Sequence, residues 1–176
     1  HIQKAQKKIK GLLASENAVE KQEAADLLSE TSHGNFDDEL IKLLNEKEVS
    51  LQLAGIRAMG HHPTSVCLEQ LIKKLDDQEK AATEALIMAR EKSLPFIRSR
   101  MLEDNCPAKQ KESLINAIGR IGGKASHEIL LSLVNELPGF EPHSIKILHR
   151  CHFKAGKNDQ SFIEGLVRNQ LLYAAA

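Results

Sequence analysis

The segments Ile56-Arg57-Ala58-Met59-Gly60 and Ile115-Asn116-Ala117-Ile118-Gly119 decide the fold of this chain. They start 59 residues apart, and both place isoleucine, alanine, a large apolar residue and glycine in the same order. Half of that separation is about 30 residues, and further apolar residues follow at nearly that interval. The five residues in this register, here named the B anchors, are Leu28, Met59, Met88, Ile118 and Leu148. Repetition at this period is typical of stacked helical units.

A second set of apolar residues runs in step with the first. Its members, here named the A anchors, are Leu44, Leu75, Leu102, Val134 and Val167. Each unit therefore contains two apolar helical patterns, an A helix followed by a B helix, and we expect both sets of anchors to be buried. The pattern predicts an all-α fold, a right-handed α-α superhelix (α-solenoid) of about five helix pairs.

Apolar spacing, capping residues and helix breakers predict eleven helices. They cover approximately residues 2–14, 17–31, 37–46, 48–60, 65–75, 78–92, 94–102, 107–121, 127–136, 141–153 and 160–172. Asn17, Thr64 or Ser65, Ser93 and Ser126 are the expected N-caps. The connections are short and no segment alternates as a strand does, so residues 1–176 are expected to form one domain. Since residue 1 is not methionine, we expect that domain to be excised from a longer protein.

The composition is that of a soluble globular chain, with 41% apolar and 27% charged residues. No apolar stretch is long enough for a membrane helix. Three cysteines without a Cys-x-x-Cys motif argue against a disulfide framework and favour a cytoplasmic protein. Net charge is zero, but residues 1–88 have a balance of −4 and residues 89–176 one of +4. The two halves could serve different partners or simply have different solvated surfaces.

The triplets Ala58-Met59-Gly60 and Ala117-Ile118-Gly119, each with isoleucine two residues earlier, resemble those of HEAT repeats. The similarity is to the short bacterial type that also occurs in phycobilisome lyase proteins, and it covers nearly the whole chain. It implies scaffolding or docking by an armadillo-like superhelix. Those repeats place Val-Arg seven to eight residues before the anchor. Here these positions hold Glu20-Lys21, Leu51-Gln52, Lys80-Ala81, Gln110-Lys111 and Phe140-Glu141. Because the arginine that joins the usual polar ladder between repeats is missing, we expect more irregular stacking between the repeats.

Metal and catalytic motifs give little support to an enzyme. His143, His149, Cys151 and His152 are dense enough to suggest zinc. However, Cys151 aligns with Ile121 of the preceding unit, so we interpret it as a buried structural cysteine and expect no metal or cofactor. The chain has no nucleophile elbow, no His-Glu-x-x-His and no phosphate-binding lysine loop. We therefore predict a protein without catalytic residues.

The most specific surface feature is a row of basic residues on the predicted B helices. Arg90, Arg120 and Arg150 each lie two residues past a B anchor, and Lys146 lies two residues before one. A helix turns about 200° over two residues, so this row faces away from the core. Guanidinium groups pair well with carboxylates. We predict that these four residues bind an acidic segment of another protein or of the parent chain, the alternative being a solvated face.

The function expected from these observations is a non-catalytic helical-repeat module for protein–protein interaction. It would be a regulatory or docking segment of a larger bacterial protein, such as a transporter or a signalling protein, with no membrane insertion of its own. One alternative is nucleic-acid or phosphate-ligand binding through the basic B-helix face. Aromatic residues are 3% of the chain, which argues against nucleic acid because few bases could be stacked. Another alternative is a lyase-type ligand-handling protein.

Overall fold

A computed structural model describes residues 2–30, 34–151 and 164, and all regular structure within them is helical. The ten α-helices in these residues are α1 Ile2–Leu13, α2 Ala18–Glu30, α3 Asp37–Leu44, α4 Val49–His61, α5 Ser65–Lys74, α6 Glu79–Met88, α7 Leu94–Leu102, α8 Ala108–Ile121, α9 Gly123–Glu136 and α10 Glu141–Arg150. A 3-10 turn, Arg90–Ser93, connects α6 to α7. The predicted all-α class is therefore confirmed, whereas the helix predicted at 160–172 lies outside the described residues. None of the ten helices is both long enough and apolar enough to span a bilayer.

Two of the predicted N-caps are present. The Asn17 side chain accepts a hydrogen bond from the backbone of Val19, and Thr64 accepts one from the backbone of Cys67. Ser93 occupies the N-cap position of α7, but its hydroxyl donates to the carbonyl oxygens of Leu86 and Arg90 and caps no backbone N–H of α7. The prediction for Ser126 is wrong, because this residue is buried inside α9, which begins three residues earlier.

The helices pack in two rows. Odd-numbered helices α1, α3, α5, α7 and α9 contact one another in succession, and even-numbered helices α2, α4, α6, α8 and α10 do the same. Each odd-numbered helix also packs against the even-numbered helix that follows it in sequence. The A helices of the sequence pattern are thus one row and the B helices the other.

Most of the anchors are buried, and two are not. The buried anchors are Leu28, Leu44, Met59, Leu75, Ile118, Val134 and Leu148, all below 5% exposure. Met88 and Leu102 are 38% and 40% exposed, so their predicted burial is wrong. Leu86 and Met101, both fully buried, take their places in the core. The remaining anchor, Val167, lies outside the described residues.

The exchange of Met88 for Leu86 follows from a change in repeat length. Helix α6 ends at Met88, four residues earlier than predicted, and the chain turns through the 3-10 segment with a φ of 55° at Arg90. The B anchors are therefore 27 residues apart between Met59 and Leu86, and 32 between Leu86 and Ile118. Apolarity alone does not distinguish Leu86 from Met88, so the regular 30-residue interval selected the wrong one.

Small residues beside the anchors allow the even-numbered helices to approach closely. A Cβ atom on Gly60 of α4 would lie 2.7 Å from the Ala85 carbonyl oxygen of α6. A Cβ atom on Gly119 of α8 would lie 2.2 Å from a methyl group of Ile147 in α10. Each glycine directly follows an anchor and faces the residue that precedes the next anchor. The glycines of the two repeated triplets are thus close contact points between successive units.

Polar side chains connect the units near the starts of the even-numbered helices. Lys21 forms an ion pair with Glu46, and the Gln52 amide donates to the Glu46 carbonyl oxygen at 2.7 Å. Gln78 donates to Gln52 across α4 and α6. In the next unit Gln110 donates to the backbone of Leu75, at 3.2 Å. These links use lysine and glutamine, and of these residues Lys21 and Gln52 stand where the repeats described above place arginine.

Candidate interaction surface

The even-numbered helices direct one row of side chains away from the core. With Leu86 as the true anchor of α6, the residues two positions before the anchors are Asp26, Arg57, Glu84, Asn116 and Lys146. The first three alternate in charge along α2, α4 and α6. Arg57 lies 4.0 Å from Asp26, and Asn116 contacts the His143 ring at 3.2 Å. This row, here named the outer row, is mixed in charge, and of the four predicted partner-binding residues it contains Lys146 alone.

Arg120 is already engaged within the chain. Its guanidinium group donates two hydrogen bonds to the Glu84 carboxylate, one of them 2.8 Å long, across α6 and α8. These hydrogen bonds lower the pKa of Glu84 and raise that of Arg120. Both side chains are about half exposed, so water competes for the pair and it contributes little to stability. An acidic partner would have to share this arginine with Glu84.

Arg90 does not lie on the B-helix row. It follows the end of α6, in the 3-10 turn, and it lines a groove of about 820 Å³ with His61, His62 and the residues that end α8. Burial, followed by the charges of His62 and Arg57, lowers the pKa of His61. Because Leu86 is the anchor of α6, Met88 holds the position two residues past the anchor, where the sequence predicts Arg90. Arg120 and Arg150 are absent from the lining of this groove.

Lys146 and Arg150 form the basic end of the even-numbered row. They lie one turn apart on α10, and both are exposed. Neither forms an ion pair with any other residue that the structure describes. Of the four predicted partner-binding residues, these two are the closest pair in sequence and have charges that no described acid neutralises.

Two open grooves flank the outward side of α4. One lies between α2 and α4 and has a volume of about 550 Å³; the other lies between α4 and α6 and has a volume of about 640 Å³. Leu53 and Arg57 line both grooves, because they stand on the ridge between them. The sequence reasoning missed this surface. Its signal was present in α4, where Val49, Leu53 and Arg57 recur every four residues and form one stripe that excludes the buried Met59.

The predicted histidine and cysteine cluster is spread over separate contacts. The Cys151 thiol donates to the Gly119 carbonyl oxygen at 3.2 Å, while His143 contacts Asn116. His152 lies outside the described residues. Within the described part of the chain, no three His, Cys, Asp or Glu side chains are close enough to hold a metal ion. Cys67 and Cys106 are buried free thiols, and burial raises the pKa of both.

The function is inferred from this surface, because two comparisons with known proteins gave no match. No protein-family model matches the sequence, and no curated protein shows significant similarity to it.

Proposed function

We propose that this chain is a HEAT-like α-solenoid of about five helix pairs that binds another protein and catalyses no reaction. The two rows of helices, in which each unit packs against the next, support the solenoid. Such an arrangement presents side chains from successive units on one long surface. We further propose that the module is cytoplasmic and acts as a scaffold or docking segment of a larger bacterial protein, such as a transporter or a signalling protein.

The observation that carries the binding proposal is the basic end of the even-numbered row. Lys146 and Arg150 are exposed, and no described acid neutralises them. An acidic peptide segment fits this end. Arg120 would also contribute, either by exchanging Glu84 for an acid of the peptide or by pairing with both. Arg90 would contact a longer acidic segment from the groove beyond α6. Charged contacts of this kind steer association and make it sensitive to salt.

The binding experiment uses a fluorescent peptide rich in Asp and Glu, with anisotropy measured at several salt concentrations. Lys146→Glu combined with Arg150→Glu is expected to raise Kd at least tenfold, which is about 1.4 kcal/mol. Lys109→Glu combined with Lys124→Glu is the control, because these exposed lysines give the same charge change at the starts of α8 and α9. Arg90→Glu, tested separately, is expected to weaken binding less.

Two outcomes would overturn the proposal of an acidic partner. One is an equal loss of peptide binding in the control double variant, which would indicate nonspecific attraction by net charge. The other is tighter binding to a DNA duplex than to the acidic peptide, with the same two residues responsible. That result would favour the nucleic-acid alternative, which the acids of the outer row, Asp26 and Glu84, otherwise disfavour.

A further inference from the structure

The two grooves beside α4 expose large apolar side chains in one place. Val19 and Val49 are 64% and 61% exposed, and Leu53 and Met88 are 41% and 38% exposed. These four are the majority of the exposed large apolar residues in the described part of the chain, and all of them line the grooves. Apolar side chains grouped in this way mark binding surfaces more often than isolated ones do.

The rims of the grooves carry excess negative charge. The charged residues that line them are Glu23, Glu48, Asp77, Glu79 and Glu84 on the acidic side, and Arg57 and Lys80 on the basic side. Lys74 pairs with Asp77 and Arg120 with Glu84. The other three acids form no ion pair with a described residue. The groove between α2 and α4 therefore combines apolar walls with two unpaired acids, Glu23 and Glu48, the opposite charge to that at α10. In the groove between α4 and α6, Lys80 offsets the one unpaired acid, Glu79.

We propose that the groove between α2 and α4 binds an amphipathic helix of a partner protein, with an apolar face flanked by lysine or arginine. Adjacent helices form a groove into which a third helix can place apolar residues at i, i+3, i+4 and i+7. Val19 of α2 and Leu53 of α4 contact that apolar face from opposite walls, and the basic flanks face Glu23 and Glu48. This inference rests on the proposed interaction function, but it concerns a different end of the surface and a partner of opposite charge.

A helix of this chemistry exists in the chain itself, but its apolar face is occupied. Helix α1 has lysines at positions 4, 7, 8 and 10. Its apolar residues Ile9 and Leu13 are buried by packing that includes α2, and Lys10 pairs with Glu39 at 3.1 Å. A second copy could not offer α1 to the groove without unpacking it. The proposed occupant is therefore a segment of another protein.

The test measures binding of a designed Leu/Lys peptide with the i, i+3, i+4, i+7 leucine pattern, and of a Leu/Glu peptide with the same pattern. We expect the Leu/Lys peptide to bind at least tenfold tighter, and added salt to narrow the difference. Val19→Ser and Leu53→Ser are each expected to weaken its binding at least tenfold. Their matched controls are Val66→Ser and Leu102→Ser, because these residues are 41% and 40% exposed but line neither groove.

Three outcomes would overturn this inference. Equal binding of the two peptides would show that the acidic rim does not select the peptide. Equal losses of binding in the test and control variants would show that the peptide does not bind in the groove. Dimerisation of the unmodified chain that Leu53→Ser abolishes would assign the groove to a second copy. The Lys146 and Arg150 double variant is run alongside and should bind the Leu/Lys peptide normally. A negative result with the Leu/Lys peptide can thus be distinguished from a negative result with the acidic peptide.

Discussion

Helices α4 and α6 approach each other closely because Gly60 has no side chain. A Cβ atom at Gly60 would meet backbone atoms of Ala85 at 2.7 and 2.9 Å, so α4 and α6 would have to separate to admit it. Packing that tight does not relax by a side-chain rotation, because the obstructing atoms belong to the backbone of α6. In an isolated helix, glycine is less favourable than alanine by about 1 kcal/mol.

Gly60→Ala is therefore expected to lower the free energy of unfolding by about 1–2 kcal/mol, since the cost of overpacking exceeds the gain in helix propensity. Urea denaturation measures this change. Gly11→Ala is the control, because a Cβ atom at Gly11 of α1 would have no atom within 4 Å. The control should be neutral or slightly stabilising. If both variants gained stability, α4 and α6 would not be in close contact.

Cys67 links stability to alkaline pH. Burial raises the pKa of its thiol from 9.0 to about 11. Between these values the unfolded chain loses the thiol proton while the folded chain keeps it. The unfolded state is then favoured, so this contribution to stability is complete below pH 9 and decreases as pH rises towards 11.

We expect the unmodified protein to lose about 1 kcal/mol more stability than Cys67→Ala between pH 8 and pH 10. Urea denaturation of both proteins at the two pH values gives the difference. Comparing the change with pH, rather than stability at one pH, removes the constant effect of the cavity that alanine leaves. Parallel pH dependences in the two proteins would show that the thiol ionises equally in the folded and unfolded chains.

At the scale of helices, the sequence predicts the elements better than their register. Helix α4 is predicted at 48–60 and found at Val49–His61, because an apolar stripe and a following turn mark both ends. Helix α6 is predicted to continue to residue 92, yet it ends at Met88. Neither glycine nor proline marks that end, and helix propensity does not reveal the positive φ of Arg90. The misplacement of Arg90 is a direct consequence of this one boundary.

The candidate site could be predicted only in part for a related reason. The exposure of Lys146 and Arg150 follows from their helical positions relative to Leu148. The pairing of Arg120 with Glu84 depends on two helices and a register that is shifted by two residues in α6. The grooves beside α4 depend on the spacing between whole units, which no single helical pattern specifies.

Arg100 connects three helices through one buried guanidinium group. It donates to Asp76 at the end of α5, to Glu103 after its own helix α7, and to Gln110 of α8. Burial opposes its charge, yet the hydrogen bond to Glu103 and the charge of Asp76 raise the pKa of Arg100. Its side chain is 8% exposed, whereas those of its two acidic partners are 59% and 46% exposed.

Arg100→Ala is expected to lower the free energy of unfolding by about 2–3 kcal/mol, because Gln110 loses a donor in a buried site while the acids regain water. Arg98→Ala is the matched control on the same helix. Arg98 forms a two-bond pair with Glu136, but its side chain is 41% exposed, so its loss should cost at most about 1 kcal/mol. Chemical denaturation of both variants provides the measurement. Equal losses would mean that burial does not distinguish the two arginines.

At the scale of the molecule, the proposed solenoid predicts that each unit obtains its stability from the units beside it. The two rows of helices connect α2 to α4 and α8 to α10, and among the described helices the extensive contacts run between neighbouring units. In such an array, stability is close to a sum of unit terms and interface terms. A loss at one end should therefore remain near that end, which a single shared core would not allow.

Leu148→Ala tests this locality, because Leu148 is buried where α10 packs against α8 and α9. The lost side chain should cost about 2–5 kcal/mol at that end. Hydrogen exchange followed by mass spectrometry is expected to show faster exchange in α8, α9 and α10, with protection in α2 and α4 unchanged. Leu28→Ala, at the other end of the same row, should produce the reverse pattern. A uniform loss of protection in either variant would instead show one cooperative core, and the two differently charged ends of the surface would then respond to damage as a single unit.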